Sequence, residues 1–269
     1  MTRTVLVTGC SSGFGRAMVP ELRQRGWRVI AGVRGGRERA GDLDAADVVD
    51  LDITSEAQRT KAVASIERLD CLINNAGAGI FGPFEETSER ELREVFELNF
   101  LSTLLLTRDC LPLLRASRGR IVNLSSVFGY TGFPMSSIYC ASKFALEGWS
   151  ESLHHELSGH GVKVTLVEPG AFRTRFGASV RWPESRLEAY AQQRAAMVAF
   201  RERRLAKKAK PPEIVARAVA KLVSSDAAPV RLRVGGDARS MWLLRKWLPE
   251  AMGDRLLARM VRGLNGAPR

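Results

Sequence analysis

Short apolar runs rich in β-branched residues alternate with stretches of helical periodicity along most of the 269-residue sequence. The first run, TVLVT (Thr4 to Thr8), stops at Gly9, and the apolar spacing that follows, Phe14, Met18, Leu22, is that of a helix. WRVIAGV, DVVDLD, LDCLINN, GRIVNLS and VKVTLVEP are further runs, with RLRVGG near Arg231 as a seventh. Helical patterns such as Glu89 to Leu98, Phe100 to Leu114 and Ser142 to Leu157 separate them. Runs this short and this apolar read as strands buried on both faces, and parallel strands need the long crossovers that helices supply. The pattern therefore predicts an α/β fold, a doubly wound parallel sheet of about seven strands with helices on both faces.

A chain of this length buries a substantial core in one domain, so residues 1–269 are read as a single domain. One long insertion, from Ala171 to about Lys210, separates the sixth strand from the helix begun by PPEIVARAVAKLV. Connections at the carboxyl ends of strands line the ligand crevice of an open α/β sheet, so residues 171–210 are expected to form a substrate lid.

No run reaches the roughly 18 uncharged apolar residues of a membrane-spanning helix, and Met1 to Arg3 lead straight into a strand-like run. A soluble, cytoplasmic protein is expected. Cys10, Cys71, Cys110 and Cys140 fall at no metal-ligand spacing and three lie in apolar segments, which predicts reduced core thiols without disulfide or metal.

The net charge of +12 is unevenly spread: residues 1–200 carry 24 Lys+Arg against 23 Asp+Glu, and residues 201–269 carry 17 against 6. Such a block marks either an anionic partner or solvated helix faces around Arg201 to Lys210 and Arg255 to Arg262. It contains no groove-reading motif, and no nucleic-acid partner is expected. Within residues 239–264, apolar Leu256, Leu257, Met260, Val261 and Leu264 are interleaved with Arg255, Arg259 and Arg262. This basic amphipathic extension is open to three uses: weak peripheral contact with an anionic membrane, a cover for the active site, or a subunit contact.

Gly9, Gly13 and Gly15 form G-x-x-x-G-x-G between a strand and a helix. Three glycines in a turn serve close packing, or they let backbone amides and a helix N-terminus approach a pyrophosphate; the strand-before, helix-after context favours the second. Nineteen residues beyond Gly15 stands Arg34, in AGVRGGRER, with Arg37 and Arg39 nearby and no acid before Glu38. An acid there grips the ribose hydroxyls of NAD, whereas a guanidinium grips the 2′-phosphate of NADP. NADP(H) is therefore expected over NAD(H), the alternative being that Arg34 only solvates a loop.

TGCSSGFG, NNAG (Asn74 to Gly77), Asn99 in ELNF, IVNLSS, YCASK and EPGAFRT together, in order, resemble the short-chain dehydrogenase/reductase superfamily. The resemblance covers residues 4 to about 238. The first motif points to the compact dehydrogenase branch and a Rossmann fold, and the overall look is similar to hydroxysteroid and retinol dehydrogenases. It implies a catalytic tetrad of Asn99, Ser126, Tyr139 and Lys143. Ser126 is chosen over Ser125 because it precedes Tyr139 by 13 residues, the spacing usual in the family.

The residues support the central pair independently. Tyr139 and Lys143 stand at i and i+4, on one face of a helix. Bringing a tyrosine from its usual pKa of roughly 10 to near 7 asks for about 4 kcal/mol, and one cation about 4 Å away contributes about that at an effective dielectric near 20. Tyr139 would then give or take the proton while hydride passes between nicotinamide and substrate, Ser126 would hold the carbonyl oxygen, and Asn99 would kink its helix around a proton-relaying water or act as a structural helix residue.

The resemblance further places the cofactor against Gly9, Ser11, Ser12, Gly13, Phe14 and Gly15, then Arg34, Asp52 and Ile53. Beyond these come Asn75, Ala76 and Gly77, the pair Tyr139 and Lys143, and finally Pro169, Gly170, Phe172 and Thr174. Asp52 could also cap the helix beginning near Ser55. Phe128, Phe133 and Phe176 are the candidate substrate contacts, with Trp182, Tyr190, Met197 and Phe200 also on the lid. A pocket so lined suits a lipophilic ketone, aldehyde or alcohol, although lid aromatics also serve simply to pack the lid onto the sheet. The resemblance also implies a homodimer or homotetramer, through the helices that begin near Phe100 and Ser142. A non-catalytic NADP-binding sensor or scaffold on the same fold is the rival reading.

Overall fold

The computed structural model describes residues 2–43, 47–174, 180–208, 210–249, 251–253, 255 and 258, without the side chains of 204–208. In chain order the main elements are β1 (Thr4–Thr8), α1 (Gly13–Arg23), β2 (Arg28–Val33), α2 (Gly36–Ala40), β3 (Asp47–Asp50), α3 (Glu56–Ala64) and β4 (Cys71–Asn74). There follow α4 (Glu89–Phe96), α5 (Ser102–Ser117), β5 (Arg120–Leu124), α6 (Ser137–Ser158), β6 (Lys163–Pro169), α7 (Ala191–Lys208), α8 (Glu213–Val223), β7 (Arg231–Val234) and α9 (Gly236–Trp247).

The strands form one seven-stranded sheet in the order β3-β2-β1-β4-β5-β6-β7, every neighbouring pair parallel. This is the Rossmann-like arrangement expected. Successive residues of β1 serve opposite faces, as the pleat requires. Val5 and Val7 pack with Met18 and Leu22 of α1 and Val215 and Val219 of α8, while Leu6 joins Leu72, Leu106, Leu114 and Leu153 on the α5 and α6 side. Each such side chain, fully withdrawn from water, contributes roughly 1.5–3 kcal/mol. The four cysteines are buried thiols within or beside these layers.

The chain winds outward from β1 to β3 and then returns to place β4 on the other side of β1. The strand order reverses there, so the loops after β1 and β4 separate in opposite directions and leave a crevice at the carboxyl edge. Val7 is level with Ile73, which sets Gly9 beside Asn75.

Two helical patterns that look separate in sequence are one interrupted helix. A capping box between Ser88 and Glu91 starts α4, and α4 runs into α5 through a single π turn at Glu97–Leu101. At the far end, α9 leaves Leu243, Leu244 and Trp247 exposed beside exposed Arg245 and Lys246. Leu256, Leu257, Met260, Val261 and Leu264, with Arg259 and Arg262, lie outside the described residues. No helix among the described residues is long and apolar enough to cross a membrane.

Candidate active site

The glycine loop owes its shape to two different demands. Gly9 and Gly13 have φ of 70° and 59°, the left-handed region that glycine enters without strain. Gly15 answers to space instead: a β-carbon there would overlap Gly9 O and lie 2.6 Å from Asn75 Nδ2. The loop is braced from β4. Thr8 Oγ1 accepts from the amides of Asn75 and Ala76 (both 2.9 Å), and Asn75 Nδ2 donates to Thr8 O at 2.8 Å and Gly9 O at 3.3 Å. The Ser12 side chain makes no capping bond to the start of α1. A braced, left-handed loop opening a helix is a cradle for a pyrophosphate, which the amides and the helix dipole favour.

A cleft of about 840 Å³ runs from this loop to α6. Ser11, Ser12, Gly13, Phe14, Arg34, Asp52, Ile53, Asn75, Ala76 and Gly77 line it, as do Ser126, Phe128, Phe133, Tyr139, Lys143, Pro169, Gly170, Phe172 and Thr174. Gly15 lies behind the lining, where its role is to let α1 approach β1. Phe176 lies outside the described residues. Arg34 is largely exposed at the end of β2, 4.0 Å from Asp52 Oδ2, whereas Arg37 turns back toward Leu43 O and the Arg39 stem packs beside Gly35. Asp52 does not cap α3. Ser55 does, and the Asp52 carboxylate accepts from Thr54 N and Oγ1 instead, at 3.0 and 2.8 Å.

At the other end Tyr139 sits in the first turn of α6, 6% exposed, its hydroxyl in a side-chain hydrogen bond with Ser126. The neighbouring Ser125 also lines the cleft, and its Oγ lies beside Glu147 beneath Gly129. Lys143 Nζ donates to Leu124 O at 2.8 Å and lies 5.9 Å from the centre of the Tyr139 ring. This corrects the expected electrostatics. Burial pushes the Tyr139 hydroxyl up, with the Ser126 bond opposing, and burial pulls Lys143 down to about 8, with Glu147 opposing. Desolvation penalises the charged form of each and is the largest cause of both shifts, so burial favours the Tyr139 phenol over the phenolate.

Asn99 lies inside the π turn, 1% exposed and behind the cleft. Its Oδ1 accepts from Ala78 N, and its Nδ2 donates to Ala78 O (both 2.8 Å) and to Ser142 Oγ (3.0 Å); Ser142 Oγ in turn donates to Tyr139 O. Asn99 therefore ties the loop after β4 to the turn that carries Tyr139. A β-carbon at Gly77 would stand 3.1 Å from Asn99 Oδ1 and 3.9 Å from Lys143 Nζ, so glycine keeps the space between them open.

Aromatic rings wall this end. Phe81 and Phe128 lie 5.6 and 6.0 Å from the Tyr139 ring, Phe128 stacks on Phe133 at 5.4 Å, and Phe133 stacks on Phe200 of α7 at 5.8 Å. The insertion after β6 is fastened to the loop after β4 by Phe81 N to Arg181 O (2.9 Å) and by Glu86, which receives Leu187 N and the Arg194 guanidinium. Sequence reasoning passed over Phe81, which belongs to no periodic element. It also left Arg201 between a solvated face and part of a block for an anionic partner, whereas its guanidinium lies 4.8 Å from the centre of the Phe81 ring and 5.7 Å from that of Trp182. His154, late on α6, is half-buried against Val164 O.

A crevice with a phosphate cradle at one end and a protonated tyrosine beside a serine and a lysine at the other is built for moving a hydride and a proton together. Residues 3–185 match the family described as "short chain dehydrogenase", and the chain belongs to the short-chain dehydrogenase/reductase family. It is an oxidoreductase that acts on CH–OH groups, interconverting alcohol and carbonyl with NAD(P).

Over 192 residues it is 40% identical to "Uncharacterized oxidoreductase YbbO" of Escherichia coli (strain K12), covering 69% of this chain and 71% of that one. It is 34% identical over 256 residues to a "3-ketodihydrosphingosine reductase" of Bacteroides thetaiotaomicron (92% and 94%), and 37% over 195 residues to human "Retinol dehydrogenase 16" (68% and 61%). Among solved structures, a short-chain dehydrogenase from Streptomyces avermitilis superimposes with a TM-score of 0.80 at 34% identity, covering 94% of this chain and 98% of its own. One from Burkholderia cenocepacia, in complex with NADP, superimposes with 0.78 at 27% identity (95% and 98%).

Proposed function

We propose that the protein is an NADP(H)-dependent reductase of lipophilic ketones or aldehydes. The observation that carries this reading is the single cleft that joins Arg34 and the glycine loop to a Tyr139 phenol enclosed by Phe81, Phe128, Phe133 and Phe200. The bound nicotinamide supplies the hydride. Ser126 orients the carbonyl oxygen and Tyr139 Oη donates the proton to it, while the Lys143 ammonium stabilises the phenolate that develops. A phenol kept protonated by burial suits reduction better than oxidation. The lipophilic class has support from relatives named for retinol and for a ketodihydrosphingosine, and NADP from the Burkholderia complex. Exposed Leu101 and Phe144, on the π turn and on α6, are consistent with self-association through these helices.

The test is NADPH oxidation against ketones of graded chain length. Specificity that rises with apolar length supports the reading, and a preference for short polar ketones sinks it. Cofactor choice has its own measurement. Arg34→Glu is expected to raise the KM for NADPH about 10- to 100-fold, the value of one or two charge-assisted bonds, and to leave the KM for NADH within a few-fold. Equal losses for both cofactors would remove Arg34 from the 2′-phosphate.

The pH profile follows from the two buried groups. Reduction needs the phenol protonated and Lys143 charged, so kcat for reduction is expected to hold at neutral pH and fall as Lys143 deprotonates around pH 8. Oxidation needs the phenolate and is expected to keep rising into the alkaline range. Rates measured in both directions across this range check the signs; reduction that climbs through pH 8 contradicts them.

A further inference from the structure

Beyond the tetrad, α6 carries one more buried charge on the catalytic face. Tyr139, Lys143, Glu147 and Glu151 follow one another at i+4. The first three are each 6% exposed, and only Glu151 reaches solvent. A carboxylate this far from water is costly unless other groups compensate it.

We propose that Glu147 is a positioning residue for the reaction: clamped by Arg231, it is the counter-charge that keeps the Lys143 ammonium protonated one helical turn away. The inference rests on the role assigned to Lys143 above. Arg231, on β7, reaches Glu147 Oε2 at 3.1 Å, Glu151 Oε2 at 3.0 Å and Glu168 Oε1 at 3.3 Å, and Arg233 reaches Glu168 Oε2 at 2.9 Å. On the side toward the cleft, Gly129 makes room: a β-carbon there would lie 2.6 Å from Ser125 Oγ and 2.9 Å from Glu147 Cγ. Ser125, next to Ser126 in the chain, thus closes the chamber that holds Glu147.

The groups that face Glu147 among the described residues are Lys143 and Glu151 from α6, Ser125 after β5, Tyr130 from the following turn, Glu168 from β6, and Arg231 and Arg233 from β7. Three carboxylates meet two guanidiniums. Lys143 is the third cation facing them, and burial together with Glu147 raises Glu168 to about 7 against the pull of Arg233 and Arg231. The same coupling appears as the upward pull of Glu147 on Lys143 against the downward pull of burial. Burial also raises Glu147 itself, with the Ser125 hydroxyl and then Arg231 opposing, so these partners keep its charge available to Lys143.

The experiment reads the Lys143 titration directly, by NMR of the full-length protein with lysine labelled at the ε-carbon and the signal assigned by its loss in Lys143→Arg. The wild-type midpoint is expected at about 8. In Glu147→Gln it is expected to move down by about one pH unit, a shift that a purely structural role would not produce, and Glu147→Asp should recover part of it. If Glu147→Gln does not fold, Arg231→Gln should shift the midpoint the same way, because an unclamped Glu147 takes up a proton. A Lys143 midpoint unchanged in whichever of these variants folds overturns the proposal.

The falling limb of the reduction profile should move with the titration, lowering kcat at pH 8 by about fivefold. The titration needs no turnover. A shifted midpoint in a protein inactive toward every ketone would sink the reductase reading alone, and an unshifted midpoint in an active reductase would sink this one alone.

Discussion

Tyr139→Phe is expected to lower kcat for NADPH-dependent ketone reduction by about 10²- to 10⁴-fold, the usual contribution of a positioned general acid. The substitution deletes one oxygen and keeps the ring that packs on Phe81 and Phe128, so fold and cofactor affinity should be preserved. Steady-state rates together with NADPH binding by fluorescence separate the two effects. Activity that survives the change would refute the proton-donor role.

The second large effect lies at the opposite end of the cleft. Gly15→Ala adds a methyl that overlaps Gly9 O and comes within 2.6 Å of Asn75 Nδ2. Backbone cannot swing aside as a side chain does, so either α1 lifts from β1 or the Gly9 turn opens. Overpacking of this kind costs about 1–3 kcal/mol of stability. The larger loss should be in cofactor affinity, by about 10²-fold or more, because the cradle itself is deformed. Thermal unfolding and NADPH titration of the same sample distinguish the two. A variant that binds NADPH like the wild type would show that Gly15 serves neither the cradle nor the packing beneath it.

Much of this site was legible because its signals are local. A strand that ends in glycine and restarts as a helix is visible in consecutive residues, as is the i to i+4 spacing of Tyr139 and Lys143. The strand runs were read correctly in number and order, since burial on both faces leaves an unbroken apolar string. The stretch after β6 was recognisable as an insertion, but not its fastening: Glu86 and Arg194 are 108 residues apart and nothing local joins them. Asn99 was ambiguous for a related reason. The π turn that turns it inward adds one residue to a helical turn, and the sequence shows only two adjacent helical patterns.

By itself, then, the sequence determined the layered α/β order, the glycine cradle, the placement of Arg34 after β2 and the pairing of tyrosine with lysine. These follow from periodicity and spacing, which the chain carries within a few residues. Only the tertiary structure decided how those groups behave. Tyr139 is raised rather than lowered, Arg201 covers an aromatic wall rather than a solvated face, and Glu147 stands as a buried charge behind Lys143. The cost of charging a group depends on which distant residues exclude water from it and which bring a compensating charge, and those neighbours come from elements far apart in the chain.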